Sequence, residues 1–446
     1  MKYAAILAAT LAIAGAAESR WELKPGSAPV DNPLKGLVPY SEPVEGRFPH
    51  SMEFFYLPLS AVVKGAGKYD WTELDRRLDG IAGRGRQAVF RIHLEYPGQS
   101  GVIPAYLVEA GLKVHRYQNT NTAPFPPQEV ATPDYEDPRL RTMLAEFIAA
   151  FGKRHDGDPR IGFITAGLLG TWGEWHTHPR NELFASKGVQ REVMDAYQRA
   201  FKVTPVLLRY PAGKGHGMYE SNDARPFGYH DDSFAWATLD TGRKEDGWFF
   251  VPSLKAAGAA DCWKTRPIGG EIRPEAWGKV FDGPVTAPLQ DYRRCVEETR
   301  VSWLMDSGMF REQAPPERLG RAMAAVRRMG YEFRVTNVSL EERRLKVTLV
   351  NQGVAPFYHP WKVLFRELDG TGTPLGPDLE SQHTVQGLLP GETVTWEQTL
   401  GAATGKSGPP RVLLQVRNPL KGGAPVRFAN DSQDADADGW LTLTPR

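Results

Sequence analysis

Two glutamates in this chain stand where an apolar segment gives way to small residues. The stretch from Ile161 to Pro179 reads Ile-Gly-Phe-Ile-Thr-Ala-Gly-Leu-Leu-Gly-Thr-Trp-Gly-Glu-Trp-His-Thr-His-Pro, with Glu174 between Trp172 and Trp175. Flanking indoles desolvate a carboxylate and raise its pKa toward a proton donor's range. Indole faces also suit the C–H-rich faces of pyranose rings. The second glutamate closes Arg266-Pro-Ile-Gly-Gly-Glu271 in the same manner. Glycoside cleavage needs two carboxyl groups across the scissile bond, one donating a proton and one attacking or activating water. A Gly-Gly-Glu alone also fits a helix cap; the pairing with Glu174 is what points to chemistry.

A rival reading uses the same block. His176 and His178 alternate with Glu174, so in an extended segment all three project to one side and could ligate a metal that activates water. Two loop histidines bonded to nearby backbone would leave the same trace. Near the C-terminus, Asp434-Ala-Asp436-Ala-Asp438-Gly439 matches the start of a calcium loop, but position twelve is Pro445 rather than Glu and no flanking helices are evident. A structural Ca²⁺ and a solvated acidic turn both remain open there; otherwise no cofactor is implied.

Strand-like segments at 36–40, 53–59, 88–95, 161–169, 205–210, 226–230, 267–271 and 301–306 alternate with helical patterns. Such alternation implies parallel pairing, and eight strands fit a closed (β/α)₈ barrel. No helix fits between the first two. Glu174 then ends the fourth strand and Glu271 the seventh, both at the face where barrel enzymes carry their sites. Within Gln87–Glu95, Ala88, Phe90, Ile92 and Leu94 share one face, while Arg91, His93 and Glu95 share the other. That polar face lines a site if it turns toward the mouth. Arg209, His230, Asp231 and Asp306 fall at other strand ends, and Trp248 and Trp303 are candidate walls. Together with Trp172, Trp175 and His176 they describe a polar, sugar-sized pocket for an oligo- or polysaccharide.

The spacing predicts a helix from Asp137-Pro138 through Phe151, with its N-cap and first-turn proline. Others are expected from Asp70 with Glu73 as a capping-box variant, through Val189–Phe201, and from Pro316 to a stop at Gly330. After Gly330 the rhythm changes to short β segments at 331–335, 345–351, 361–367, 393–399 and 411–417, separated by turns such as Asp369-Gly370-Thr371-Gly372. An antiparallel β-sandwich over 331–446 is expected, following a barrel over 18–330.

Lys2, the apolar run from Tyr3 and the small residues Ala14-Gly15-Ala16-Ala17 form the pattern of a secretory signal over residues 1–17. The run is shorter than the roughly 20 residues of a membrane-spanning helix, so no transmembrane segment is expected. The expected location is secreted or periplasmic. Lys plus Arg number 54 against 53 Asp plus Glu, and removal of Lys2 leaves a neutral chain. That balance argues against a nucleic-acid partner, which calls for a basic excess. Two cysteines, Cys262 and Cys295, are too few for a disulfide framework. They pair in an oxidising compartment or stay as buried thiols.

The blocks Asn32-Pro-Leu-Lys-Gly-Leu-Val-Pro-Tyr40, Gly170-Thr-Trp-Gly-Glu-Trp-His176, Gly269-Gly-Glu271 and Asn351-Gln-Gly-Val-Ala-Pro-Phe-Tyr358 resemble a secreted bacterial family, the domain of unknown function numbered 4832. That family is in turn similar to the clan of retaining (β/α)₈ glycosidases. The resemblance implies Glu174 as acid/base and Glu271 as nucleophile. Where that clan carries Asn before the acid/base glutamate, this chain has Gly173. A glycan-binding surface protein without catalysis is the alternative this departure raises.

Overall fold

The computed structural model describes residues 18–42, 48–122, 125–311, 313–401 and 410–444; the expected signal segment lies outside them. Eight strands form one parallel sheet: β1 (Gly36–Val38), β2 (Met52–Pro58), β3 (Gln87–His93), β4 (Ile161–Thr165), β5 (Val206–Leu208), β6 (Gly228–Phe234), β7 (Ile268–Ile272) and β8 (Trp303–Met305). Their spatial order is β1-β8-β7-β6-β5-β4-β3-β2. A Tyr40–Phe54 bridge links the two ends: the Phe54 N–H donates to Pro39 O at 2.7 Å, and Ser41 N–H donates to Phe54 O at 2.8 Å. The result is a (β/α)-type eight-strand barrel with the expected strands in the expected order.

Alternation along the strands sorts the apolar side chains into two clusters. Leu37, Phe55, Leu57, Phe90, Ile92, Ile164 and Leu208 pack with the helices. Val38, Phe54, Val89, Phe163, Leu207, Trp303 and Met305 fill the lumen. Among the described residues, six helices of seven or more residues follow strands: α1 (Thr72–Ala82), α2 (Pro138–His155), α3 (Lys187–Ala200), α4 (Phe250–Ala256), α5 (Tyr292–Thr299) and α6 (Pro316–Arg327). Among the described residues, the β1–β2 and β5–β6 connections carry none. Asp137 caps α2 as expected, accepting the Arg139 N–H at 2.9 Å. Asp70 instead stands just ahead of α1 and accepts the Thr72 N–H at 3.0 Å, while Glu73 pairs with Arg76 and Arg77 rather than closing a capping box. A hairpin, Val114–Asn119 with Gln128–Pro133, is inserted between β3 and α2.

Beyond Gly330 the chain forms antiparallel strands in two four-stranded sheets. One contains Phe333–Glu341, Arg344–Asn351 and Thr393–Thr399; the other contains Val363–Leu368, Leu379–Glu380, Arg411–Val416 and Leu441–Thr442. Ser19–Glu22 joins the first of these, pairing Arg20 with Ser339. The first described strand therefore lies in this region, ahead of the barrel, through a pairing too short and too distant in sequence for local patterning to reveal. Inward residues of both sheets, among them Phe333, Leu345, Val363, Phe365 and Leu414, share one apolar cluster with the barrel lumen. His359 meets Phe163 edge-on at 5.3 Å, and the Tyr358 hydroxyl donates to Trp263 O at 2.6 Å.

Cys262 and Cys295 are both buried and free, so the expected alternative of a pair is not formed. Among the described residues, no helix is long and apolar enough to cross a membrane.

Candidate active site

The C-terminal ends of the barrel strands converge on Arg91. This side chain projects from the lumen face of β3 and is 1% exposed. Its Nη1 donates to Glu174 Oε1 at 2.8 Å and to the Tyr56 hydroxyl at 3.2 Å, and its Nε donates to Thr165 Oγ1 at 3.2 Å. Nη2 lies 3.5 Å from Glu271 Oε1 and 3.3 Å from the His230 ring nitrogens. One guanidinium thus joins both glutamates singled out from the sequence.

The two glutamates arrive by different routes. Glu271 lies in β7, whose preceding Gly269 leaves room for the buried Trp303: a Cβ there would sit 2.2 Å from the indole. Glu174 does not end a strand, contrary to the sequence expectation. β4 stops at Thr165 because the chain turns at Leu168 (φ 72°), then coils through Trp172 (φ 54°) and Trp175 (φ 58°). Left-handed conformations cost about 1–2 kcal/mol per non-glycine residue, so other contacts must impose them. Trp172 N–H donates to Glu95 O at 3.0 Å, Trp175 N–H to Leu169 O at 2.9 Å, and Gly170 N–H to the Tyr135 hydroxyl at 2.7 Å. Gly173 (φ +72°) packs on Arg91: a Cβ there would meet Arg91 Cδ at 3.2 Å and Gly167 Cα at 3.1 Å. The loop's shape, rather than an absent sugar contact, accounts for glycine at this position.

The electrostatics separate the two carboxyls. His178 N–H donates to His176 Nδ1 at 3.3 Å, which leaves the imidazole proton on Nε2, 3.5 Å from Glu174 Oε2. Burial opposes a charge on Glu174, yet the His176 hydrogen bond and the nearby Arg91 and Arg209 charges outweigh it and hold this carboxyl low. Burial pushes Glu271 well up; Arg91 counters in part, and the neighbouring Glu174 charge adds to the rise. Both carboxyls reach the one Arg91 guanidinium, at 2.8 and 3.5 Å, and a charge on Glu174 disfavours one on Glu271.

Several other predicted site residues belong to this constellation. His230 stands over Trp303 at 5.7 Å, and burial and Arg91 push its imidazole well below the ordinary value. His93 is buried beside Tyr56 and Tyr96, at ring distances of 6.1 and 5.1 Å, and burial lowers it to about 4. Arg209 forks onto Asp232 at 2.8 and 3.2 Å. Trp172 is half-buried, with its ring 6.3 Å from that of His176.

Others serve the frame. Asp231 faces away from the mouth, accepting from Thr238 Oγ1 at 2.6 Å and from Ser233 N at 3.0 Å; burial raises it to about 7. β6 runs on to Phe234, so strand alternation puts His230 and Asp232, not Asp231, on the lumen face. Asp306 accepts the Met309 and Gly278 N–H groups at 2.8 and 3.3 Å, and burial raises it to about 6. Glu95 accepts from the Thr132 and Tyr135 hydroxyls, both at 2.5 Å, and burial raises it to about 7. Trp175 is core, its Nε1 donating to Ala166 O at 2.6 Å, and Trp303 is the lumen floor. Trp248 is exposed near Arg209 and Asp232. Missing from the sequence reading were Tyr40, Tyr56, Tyr96 and Asp232; the period-2 pattern through Phe54 and Tyr56 was the available signal for one of them.

The metal reading changes its members and loses its chemistry. His178 is exposed, and Asp232 takes its place: donor atoms of Glu174, His176 and Asp232 lie within 4.8 Å of one another. These donors are already engaged, Glu174 by Arg91, Asp232 by Arg209, and His176 Nε2 by its own proton. The arrangement does not fit a resident cation. In the acidic C-terminal turn, Asp434 and Asp438 pair with Arg427 at 3.1 and 3.0 Å and Asp436 with Arg411 at 2.5 Å, so the three carboxylates are drawn to arginines.

No family model and no curated protein sequence matches the chain, so the resemblance to the domain family numbered 4832 rests on the quoted residue blocks alone. Among solved structures, endo-glycoceramidase II from Rhodococcus sp. is similar at 13% identity and a TM-score of 0.42, covering 85% of this chain and 100% of that one. Its lactosyl-enzyme intermediate gives 14% and 0.42 over the same shares. Pseudomonas stutzeri endoglucanase Cel5A follows at 13% and 0.34, covering 62% of this chain and 81% of that one. The barrel itself is defined by its own strand order and register.

Proposed function

We propose that this chain is an exported glycoside hydrolase of the family numbered 4832, acting on an oligo- or polysaccharide with Glu174 and Glu271. Its C-terminal sheets are read as a β-sandwich, with a barrel over 18–330 and a secretory signal over 1–17. The observation that carries the activity is the carboxyl pair itself. Two glutamates meet at the mouth of a parallel barrel, bridged by the buried Arg91, with the Glu174 carboxyl held low and the Glu271 carboxyl pushed up by burial. One acid and one carboxylate are the two groups that glycosidic cleavage requires. Half-buried Trp172 and exposed Trp248 offer aromatic surface for a sugar ring.

A panel of aryl and natural glycosides tests the reading. Turnover by the wild-type protein, with roughly a 10²-fold or greater loss in both Glu174→Gln and Glu271→Gln, is expected. Unchanged turnover in either variant removes that residue from the mechanism.

A second reading, glycan binding without cleavage, is favoured by one observation. Glu174 is held by Arg91 at 2.8 Å and faces His176 at 3.5 Å, and both oppose its service as a proton donor. Glycan retention with no product after long incubation would establish that reading.

A further inference from the structure

Arg273 stands just past the mouth end of β7, two residues beyond Glu271. Ile272, between them, packs with the helices, and the backbone stays extended at Arg273 (φ −54°, ψ 138°). Alternation therefore returns the Arg273 side chain to the face of Glu271, one pleat nearer the rim. Its guanidinium lies over the indole of Trp236, 4.7 Å from the ring centre. Trp236 follows the neighbouring strand β6, which is registered on β7 through Phe234 and Ile272. The Arg273 Nε donates to Glu275 Oε2 at 3.0 Å, while neither Nη group donates to any described residue. The side chain is 30% exposed, so the Nη edge is held flat, aimed by two contacts, and open to water.

A second stack of the same kind is its neighbour. Arg311, after β8, lies over Trp277 at 5.1 Å, and Trp277 Nε1 donates to Ile272 O at 2.7 Å. The two loops press together, since a Cβ at Gly308 would meet Gly278 N at 2.3 Å. The more deeply buried Arg91 and Arg209 differ in being engaged by carboxylates of the chain itself, Glu174 and Asp232.

From this arrangement we infer that the rim above Glu271 is a subsite for an anionic sugar, whose carboxylate or sulfate ester is taken by the Nη edge of Arg273. A guanidinium edge presents two parallel N–H donors, which match two oxygens of a carboxylate or sulfate; a hydroxyl uses only one of them. Stacking on the indole fixes the fork before the ligand arrives, so little side-chain freedom is lost on binding. The Glu271 and Asp232 carboxyls face the lumen below and repel an anion there, which confines the ligand's charge to the rim. Glu275 occupies only Nε, on the far side of the fork.

The assignment of this anionic sugar as substrate rests on the glycosidase reading; its binding does not. Calorimetric titration of the full-length wild-type protein tests the subsite with matched pairs. These are tetramers of glucuronic and of galacturonic acid with their carboxyl-reduced counterparts, and a sulfated galactan tetramer with its desulfated counterpart. The acidic member of at least one pair should bind roughly 10-fold or more tightly, and the pair that does so separates carboxylate from sulfate. That preference should shrink as salt approaches about 1 M, where the Debye length is only about 3 Å. Acidic and neutral members that bind alike, or acidic members that do not bind in any pair, overturn the inference. Arg273→Met should abolish the preference, and a preference unchanged in that variant removes Arg273 from the subsite. Arg273→Lys keeps the charge without the fork and should retain only part of the preference; full retention there overturns the role of the fork. Selective retention of an acidic tetramer with no glycoside cleaved removes the hydrolase reading and supports the inference. Cleavage of neutral and acidic glycosides alike does the reverse.

Discussion

Arg91 holds two carboxyls of unequal charge, and that inequality has consequences for stability as well as chemistry. Glu174 is the ionised member, enclosed by Arg91 and His176 donors, and Glu271 is the neutral one. Replacing Glu174 with Gln turns an amide N–H₂ toward groups that are themselves donors, whereas Glu271→Gln exchanges one neutral group for another. Glu174→Gln is therefore expected to destabilise more than Glu271→Gln in urea titrations, by about 1–3 kcal/mol. Equal losses would mean that the charges are shared evenly. Arg91→Met should lower stability by about 3–5 kcal/mol, because it strands a buried carboxylate. Arg91→Lys restores the charge but not the fork, so it should recover only part of that loss.

At the scale of elements, the β4–α3 loop is held by a relay that begins in the inserted hairpin. Thr132 of that hairpin and Tyr135 both donate to Glu95, and the Tyr135 hydroxyl accepts the Gly170 N–H. Tyr135→Phe leaves that buried N–H without a partner and should cost about 1–3 kcal/mol, with added exchange of the Gly170 amide in hydrogen-exchange measurements. Gly173→Ala forces a methyl group against Arg91 at positive φ and should cost about 1–2 kcal/mol.

The same relay predicts a pH dependence. Glu95 is raised by burial to about 7 in the folded protein, so between its unfolded value and pH 7 the native state binds the extra proton. Its contribution to stability is largest at low pH and falls as pH rises through 7. Glu95→Gln, which keeps the neutral shape, should match wild type near pH 5 and exceed it near pH 8 by up to roughly 3 kcal/mol. A gap that is constant with pH would remove Glu95 as the titrating group.

For the whole molecule, the decisive feature is a lumen core that does not stop at the barrel. Val89, Phe163, Leu207 and Trp303 belong to one apolar cluster with Phe333, Val363, Phe365 and Leu414 of the antiparallel sheets. The strand Ser19–Glu22 ties the start of the described chain to the same sheets. Barrel and sheets should therefore unfold together, as one calorimetric transition. Trp303→Ala should lower stability by about 3–5 kcal/mol and keep that single transition. Two resolved transitions in the wild-type protein would refute the shared core.

Eight strands, the main helices and the two glutamates were legible in the sequence because each is written locally. Alternation of period two, N-caps such as Asp137, and an apolar run ending in Gly-Gly-Glu271 all act over a few residues. The polar face of β3 was equally legible, and with it Arg91. What local pattern could not supply was the path of the chain after β4. That path depends on Tyr135, Glu95 and Arg91 contacts from elsewhere, and it moved Glu174 from a strand end onto a coiled loop. Asp231 and Asp232 were exchanged because one residue of strand phase decides which side chain enters the lumen. The sequence by itself determined which residue types meet at the barrel mouth, since strand order and alternation are local properties. Only the tertiary structure decided their charges, because an ionisation state is set by the donors and neighbouring charges that long-range folding brings within a few ångströms.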